Sequence, residues 1–322
     1  MVEIRYGRRH FARLLGVPER KLTQADRRPE LASIGGAPND YGPRHLSAYR
    51  KALGRQPLPR ALRHQLFLNF KGGTGKTSLS VSYAYRLAEM GHRVLLVDLD
   101  SQGHATQHLG FQGDEHERTL YHVLVERLPI EEALVETPLA EFDLLPANLG
   151  MSTLELAMMP MPGREYRLKK ALQDVSDHYE FIVLDAPPSF GLLNLNALIA
   201  ADDLFVPVLP DFLSFHGLKL LFETLSGLED DLDHTLQRIF IVLNQYSPTT
   251  RIAREARGAL ENHYPEFLLK TIVRQCTQFA QASSQGVPVC AHNPRCKGAK
   301  DTNALIHEVM DAPLEQAQEK SA

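Results

Sequence analysis

Lys71-Gly72-Gly73-Thr74-Gly75-Lys76-Thr77-Ser78 sits between an apolar run and a stretch of helical spacing. Glycines let successive backbone N–H groups turn inward around an anion, and the start of the following helix adds a favourable dipole. In that context Lys76 is suited to neutralise the outer phosphates of a nucleoside triphosphate, and the Thr77 hydroxyl to meet a hard cation such as Mg2+. Two further segments deliver acids. Val97-Asp98-Leu99-Asp100-Ser101-Gln102-Gly103-His104-Ala105-Thr106 ends an apolar run with two carboxylates, and Phe181-Ile182-Val183-Leu184-Asp185-Ala186-Pro187-Pro188 ends another with one, before a stiff double-proline turn. A carboxylate at the carboxyl end of a parallel strand can orient an attacking water or hold a metal. Asp98 reads either as a catalytic part or as a cap of the next loop or helix.

Together these strings resemble the motifs of the ParA/MinD ATPases. The extra lysine that opens the first string is similar to the signature residue of that family's deviant Walker A loop. The resemblance implies that Lys71 reaches across an ATP-sandwiched homodimer to phosphates bound by the other subunit. A basic residue there could also stabilise charge during phosphoryl transfer; a solvated lysine is the competing reading. The second string is similar to the family's Asp-x-Asp-Pro-Gln-Gly-Asn-x-Thr segment, with Ser101 in place of Pro and His104 in place of Asn. By that resemblance Asp100 orients or activates the attacking water. The third looks like Walker B, with Asp185 holding Mg2+ through a water. Phe240-Ile241-Val242-Leu243-Asn244 resembles the strand after which the family contacts adenine, which makes Asn244 an adenine contact or else a polar strand cap. Nitrogenase iron protein would need cysteines in mid-chain, and Cys276, Cys290 and Cys296 all come later. MinD would need a basic amphipathic C-terminal helix, and residues 304–318 hold no Lys or Arg. The ParA partition ATPases remain.

Elements of the right kind are present to position these residues. The spacing predicts strands over 65–70, 93–98, 142–145, 181–185, 204–209, 240–243 and 268–273, and a helix over 76–90 directly behind the glycine loop. Near-continuous apolar strands separated by crossover lengths imply a mostly parallel central sheet with helices on both faces, an α/β fold of the P-loop type. Gly54-Arg55-Gln56-Pro57-Leu58-Pro59 breaks the texture. The expected division is a head over 1–54, a linker over 55–64, an ATPase domain over 65–315 and a tail over 316–322. The hydrophobic fraction is 43%, without an apolar run of the ~18 residues a membrane span requires. Cys290-x-His292-x-x-x-Cys296 fits no zinc spacing, and free reduced thiols are the expectation. With no secretory signal in view, a cytoplasmic, nucleoid-associated protein is the expectation.

The net charge of −4 hides an asymmetry: residues 1–66 hold 14 Lys and Arg against 5 Asp and Glu, and the remainder 21 against 34. A basic head on an acidic body points to a polyanion as partner. Phe11–Val17 followed by Pro18 has helix-turn-helix spacing, and Gly42–Ser47 before a helix over 48–53 resembles the wing of a MerR-type module. Arg20, Lys21, Arg27 and Arg28 would then face DNA, unless they are the solvated residues of a docking head. In the body, the family resemblance implies non-specific DNA contact through basic residues of late helices. Arg251 and Arg254 share a helical face continued by Arg257, and Arg274 lies in the analogous late segment. The expected activity is slow Mg2+-dependent hydrolysis of ATP, stimulated by a ParB-like adaptor, that drives plasmid or chromosome partition. The same switch could position a protein cargo such as a chemoreceptor array or carboxysome, or the head could act as an ATP-controlled transcriptional regulator.

Overall fold

The structure, a computed structural model, describes residues 3–313 except 33, 35–40, 212 and 233. Seven strands form one sheet: β1 Arg63–Phe67, β2 Val94–Asp98, β3 Val135–Glu136, β4 Phe142–Leu145, β5 Phe181–Asp185, β6 Asp203–Val208 and β7 Arg238–Leu243. Their order is β3-β4-β2-β5-β1-β6-β7, parallel throughout except for β3 at one edge. This is the expected α/β architecture.

Side chains alternate across the strands, so each strand feeds two cores. Leu66, Leu95, Val97, Ile182, Leu184 and Leu204 pack on one face, while Phe67, Leu96, Val183, Phe205 and Phe240 pack on the other. Both faces are covered, which is why these strands read as unbroken apolar runs. Helix Lys76–Glu89 starts at the glycine loop and lies against β5, and its Tyr83 ring packs at a tilt on the stacked rings of Phe67 and Phe205.

At the edges the sequence reading and the structure differ in three places. β3 is an antiparallel pairing of two residues, too short to leave a periodic signal. Leu268–Val273 forms no strand; it runs beside β7 and touches it in one isolated bridge, Ile241 to Leu268, with Leu269 N donating to Ile241 O at 3.0 Å and Val273 N to Leu243 O at 2.9 Å. The wing expected at Gly42–Ser47 does not form there: Pro43–His45 make a 3-10 turn that runs directly into helix Leu46–Leu53. Pro43 presets the turn's dihedral, the Gly42 N–H donates to His45 Nδ1 at 2.8 Å, and burial of Leu46 draws the helix onto the core. The short helices Arg8–Leu14 and Glu19–Ala25 do follow one another around Gly16 at φ +63°. The expected tail lies outside the described residues.

The head shares a hydrophobic core with the body. Phe11, Leu22, Tyr41 and Leu46 belong to the same cluster as Tyr83, Tyr85 and Leu87 of helix Lys76–Glu89. A buried polar seam crosses the junction: the Tyr6 hydroxyl lies 2.8 Å from the Tyr85 hydroxyl and donates to Glu89 Oε1 at 2.7 Å, while Arg50 donates to the carbonyls of Leu14 and Glu89. The seam holds the far end of the helix whose first turn is the glycine loop. Part of the head's positive charge is thereby structural. Arg50 is buried, Arg8 pairs with Asp26 and Arg63 with Asp203.

Candidate functional site

At the carboxyl ends of three adjacent strands the register brings the motif residues together. Asp185, the last residue of β5, pairs with Phe67 of β1 on one side and with Asp98 of β2 on the other. The chain leaves β1 and turns through Asn69, whose Nδ2 donates to Pro207 O at 2.8 Å and whose Oδ1 accepts from Lys71 N at 2.9 Å. Gly73 and Gly75 adopt φ of +74° and +84°. At Gly75 a Cβ would stand 2.4 Å from Asn244 Nδ2, so both the backbone and the space demand glycine.

Lys76 is buried, with its Nζ 3.2 Å from Lys71 O. Burial pulls its pKa below the ordinary value, against the opposing charges of Asp185 and Asp100. Asp185 is fully buried, and burial pushes its carboxyl up to about 7, with Asp98 adding repulsion and Ser80, Thr77 and Lys76 opposing the rise. Its Oδ1 accepts from the Ser80 hydroxyl at 2.8 Å, whereas Oδ2 is buried without a hydrogen-bond partner among the described residues. A buried carboxylate oxygen left unpaired beside a threonine hydroxyl is the oxygen donor set a hard cation takes, so Thr77 and Asp185 fit Mg2+. Held by Thr77 and Asp185, such a cation would supply positive charge beside the phosphates.

Asp98 serves the fold. Its Oδ2 accepts from the amide and the hydroxyl of Thr106, both at 2.8 Å, and Oδ1 from Asp100 N at 3.1 Å. This ties helix His104–His108 to the end of β2, which is the capping alternative of the sequence reading; burial raises the carboxyl to about 6. Asp100 is only partly buried, and its Oδ1 accepts from Gln102 N at 2.9 Å. The Asp100 carboxylate and the Lys76 ammonium are near enough to attract one another, an arrangement able to bind a triphosphate and orient a water beside it.

Asn244 braces the loop: its Nδ2 donates to Thr74 O at 2.7 Å, and Gln245 Nε2 donates to Gly73 O at 3.1 Å. Next to them lies a cavity of about 320 Å³ walled by Gly75, Ser78, Asn244, Arg274, Cys276 and Thr277. Gln245, at φ +53°, and the anchor Asn69 were not singled out from the sequence, since neither amide belongs to a motif that marks it. Asp211 was missed for the same reason. It binds Lys71 from the loop after β6.

The arginines divide. Arg251 and Arg254 lie on the exposed side of helix Arg251–His263, Arg251 paired with Glu255 at 2.5 Å and Arg257 with Glu261 at 2.7 Å. Arg274 is not with them: it is clamped to Asp301 at 2.6 and 2.9 Å at the cavity wall. In the head, Arg20, Lys21 and Arg27 are exposed, while Arg28 reaches back to Ala52 O. The cysteines have structural surroundings: Cys290 Sγ lies 3.9 Å from Ser82 O, and Cys296 caps helix Lys297–Asp311. Among the described residues no helix is long and apolar enough to cross a membrane.

Known proteins are similar to this chain. A family model described as an AAA domain (AAA_31) matches residues 64–238. The cell division protein PomZ of Myxococcus xanthus is 54% identical over 305 residues, covering 95% of this chain and 92% of that protein. The sporulation initiation inhibitor protein Soj of Bacillus subtilis is 33% identical over 241 residues, covering 75% of this chain and 95% of Soj. A crystal structure of cobyrinic acid a,c-diamide synthase from Mycobacterium smegmatis with bound ATP analogue and magnesium superposes with a TM-score of 0.65 at 28% identity, covering 80% of this chain and 99% of that one.

Proposed function

The chain belongs to the ParA/MinD-type ATPases of the AAA_31 family, and from that premise we propose that it is an ATP-gated dimer that grips DNA and positions a cell-division assembly. One observation carries the choice of cargo. The match to a cell division protein extends over 305 of 322 residues, too many to omit the 54-residue head, whereas Soj is covered almost entirely by 241 residues of this chain. Plasmid or chromosome partition becomes the second reading, favoured by Soj-like relatives at lower identity.

In this reading Lys76, Thr77 and Asp185 hold ATP and Mg2+, Lys71 reaches the phosphates of a second copy, and Asp100 orients the attacking water. An apolar surface beside the loop supports the dimer. Phe190 is 70% and Met159 53% exposed, and the Phe190 ring packs on Phe70, next to Lys71. Covering this surface with a second copy would also shield the phosphates from water. The exposed side of helix Arg251–His263 supplies charge for the DNA backbone, with Arg20, Lys21 and Arg27 of the head as a second set. Switching requires that the ATP and ADP states differ in DNA affinity, and dimerisation provides the difference by doubling the basic surface. A ParB-like adaptor would end the cycle by stimulating hydrolysis.

The test is binding to random-sequence duplex DNA at varied salt. Binding is expected to require ATP, to weaken with salt, and to drop by about tenfold in Arg251→Glu, because losing a cation and adding an anion removes one to two phosphate contacts per chain. Equal binding without nucleotide would overturn the switch. Strong preference for one operator sequence would favour a transcriptional regulator.

A further inference from the structure

A cavity of about 200 Å³ opens at the junction of head and body, at the opposite end of helix Lys76–Glu89 from the glycine loop. At about 1.5 Å per residue, the 14 residues of that helix put about 20 Å between the cavity and the loop. Three elements wall it. Arg13 comes from the last turn of helix Arg8–Leu14, Arg86 and Glu89 from the last turn of helix Lys76–Glu89, and Lys300 and Asn303 from the first two turns of helix Lys297–Asp311.

Positive charge dominates there. The lining carboxylate is engaged: Glu89 is buried, its Oε1 accepts from the Tyr6 hydroxyl at 2.7 Å and its Oε2 from Arg86 Nη1 at 3.1 Å. Arg86 Nε donates to Asn303 Oδ1 at 3.0 Å, which fixes the guanidinium in the wall. Arg13 and Lys300 are exposed and have no hydrogen-bond or ion-pair partner among the described residues. Three side-chain cations against one carboxylate leave a net of +2, from which the two helix C-termini and one N-terminus subtract only about half a charge. His10 lies on the wall one turn before Arg13 and senses this field. Burial is the main cause of its lowered pKa, Glu89 opposes the fall, and the charges of Arg86, Arg13 and Arg295 add to it.

We propose that this cavity binds a small dianion of the phosphate class, inorganic phosphate or the end of a compact phosphomonoester, through Arg13, Arg86 and Lys300. The volume sets the size of the ligand. At roughly 30 Å³ per water it equals about seven waters, room for a phosphate group and a few carbons. Sites for larger ligands begin near roughly 300 Å³. Guanidinium and ammonium donors on separate walls suit the several acceptor oxygens of a tetrahedral anion. The bound anion ties the first helix of the head to the far end of the helix that begins at the glycine loop.

The test is a titration of the full chain with inorganic phosphate, and separately with glycerol phosphate, at constant ionic strength in chloride. The His10 ring resonances, identified by their loss in His10→Asn, are expected to move along a saturating curve. Arg13→Gln and Lys300→Gln should each raise the apparent Kd about tenfold, because each removes a charge-assisted hydrogen bond. Both side chains are exposed, so neither change threatens the fold. Lys76→Ala, which takes the cation from the glycine loop, should leave the curve unchanged. Tighter binding of the free ion or of the ester says which of the two the cavity takes. No saturating shift, wild-type affinity in both the Arg13 and Lys300 variants, or loss of the curve in Lys76→Ala would overturn the site. Displacement of the phosphate by a short DNA duplex would assign these cations to nucleic acid and overturn it as well.

Discussion

Lys76→Ala is expected to weaken ATP binding by about a hundredfold, the loss that accompanies removal of roughly 3 kcal/mol of charge-assisted hydrogen bonding to phosphate. Two effects add. The triphosphate loses a buried cation, and the carboxylates of Asp185 and Asp100 lose the charge that faces them. Without it, the electrostatics of the loop favour the phosphates far less. Calorimetric titration with ATP and Mg2+ measures the effect, and a thermal melt of the same sample separates lost affinity from lost folding. Affinity within a factor of about three of the wild type would show that Lys76 does not meet the nucleotide.

Asp100→Ala should behave in the opposite way, binding ATP as the wild type does and turning it over about a hundred to ten thousand times more slowly. Asp100 is partly exposed, and its carboxylate accepts one backbone hydrogen bond, from Gln102, within its own loop. Removing it therefore disturbs little of the fold. Asp98, by contrast, holds Thr106 through two hydrogen bonds, so Asp98→Ala would damage the loop that carries Asp100 and would report on structure. Phosphate release under single-turnover conditions distinguishes a slow chemical step from slow product release. A normal rate in Asp100→Ala would remove it from the chemistry.

The sheet and the loop were legible in the sequence because their constraints are local. A strand buried on both faces must be apolar along its length, and a loop that wraps phosphate must supply glycine where φ is positive, as at Gly73 and Gly75. The strands over 142–145 and 181–185 consequently fall where the pattern put them. What stayed hidden depends on contacts between distant segments. Asp211 meets Lys71 across 140 positions of chain, and Glu180 receives Arg93 N and Arg60 N through a carboxylate that no motif marks. The charge count over residues 1–66 overstates the free positive charge for a related reason. A buried Arg50 and a paired Arg63 contribute to the sum, although their task is to hold the head and the first strand in place. The wing expectation at Gly42–Ser47 failed because Gly42-Pro43 suits a hairpin corner and a helix entry equally well, and here the bond from Gly42 N–H to His45 and the burial of Leu46 go with the helix.

Sedimentation velocity on the full chain carrying Asp100→Ala, with ATP and Mg2+ compared against ADP and Mg2+, tests the nucleotide-gated assembly on which DNA grip and positioning both depend. The account predicts a species of twice the chain mass with ATP and a single chain with ADP. The same sedimentation coefficient in both nucleotides, with ATP shown to be bound, would contradict it.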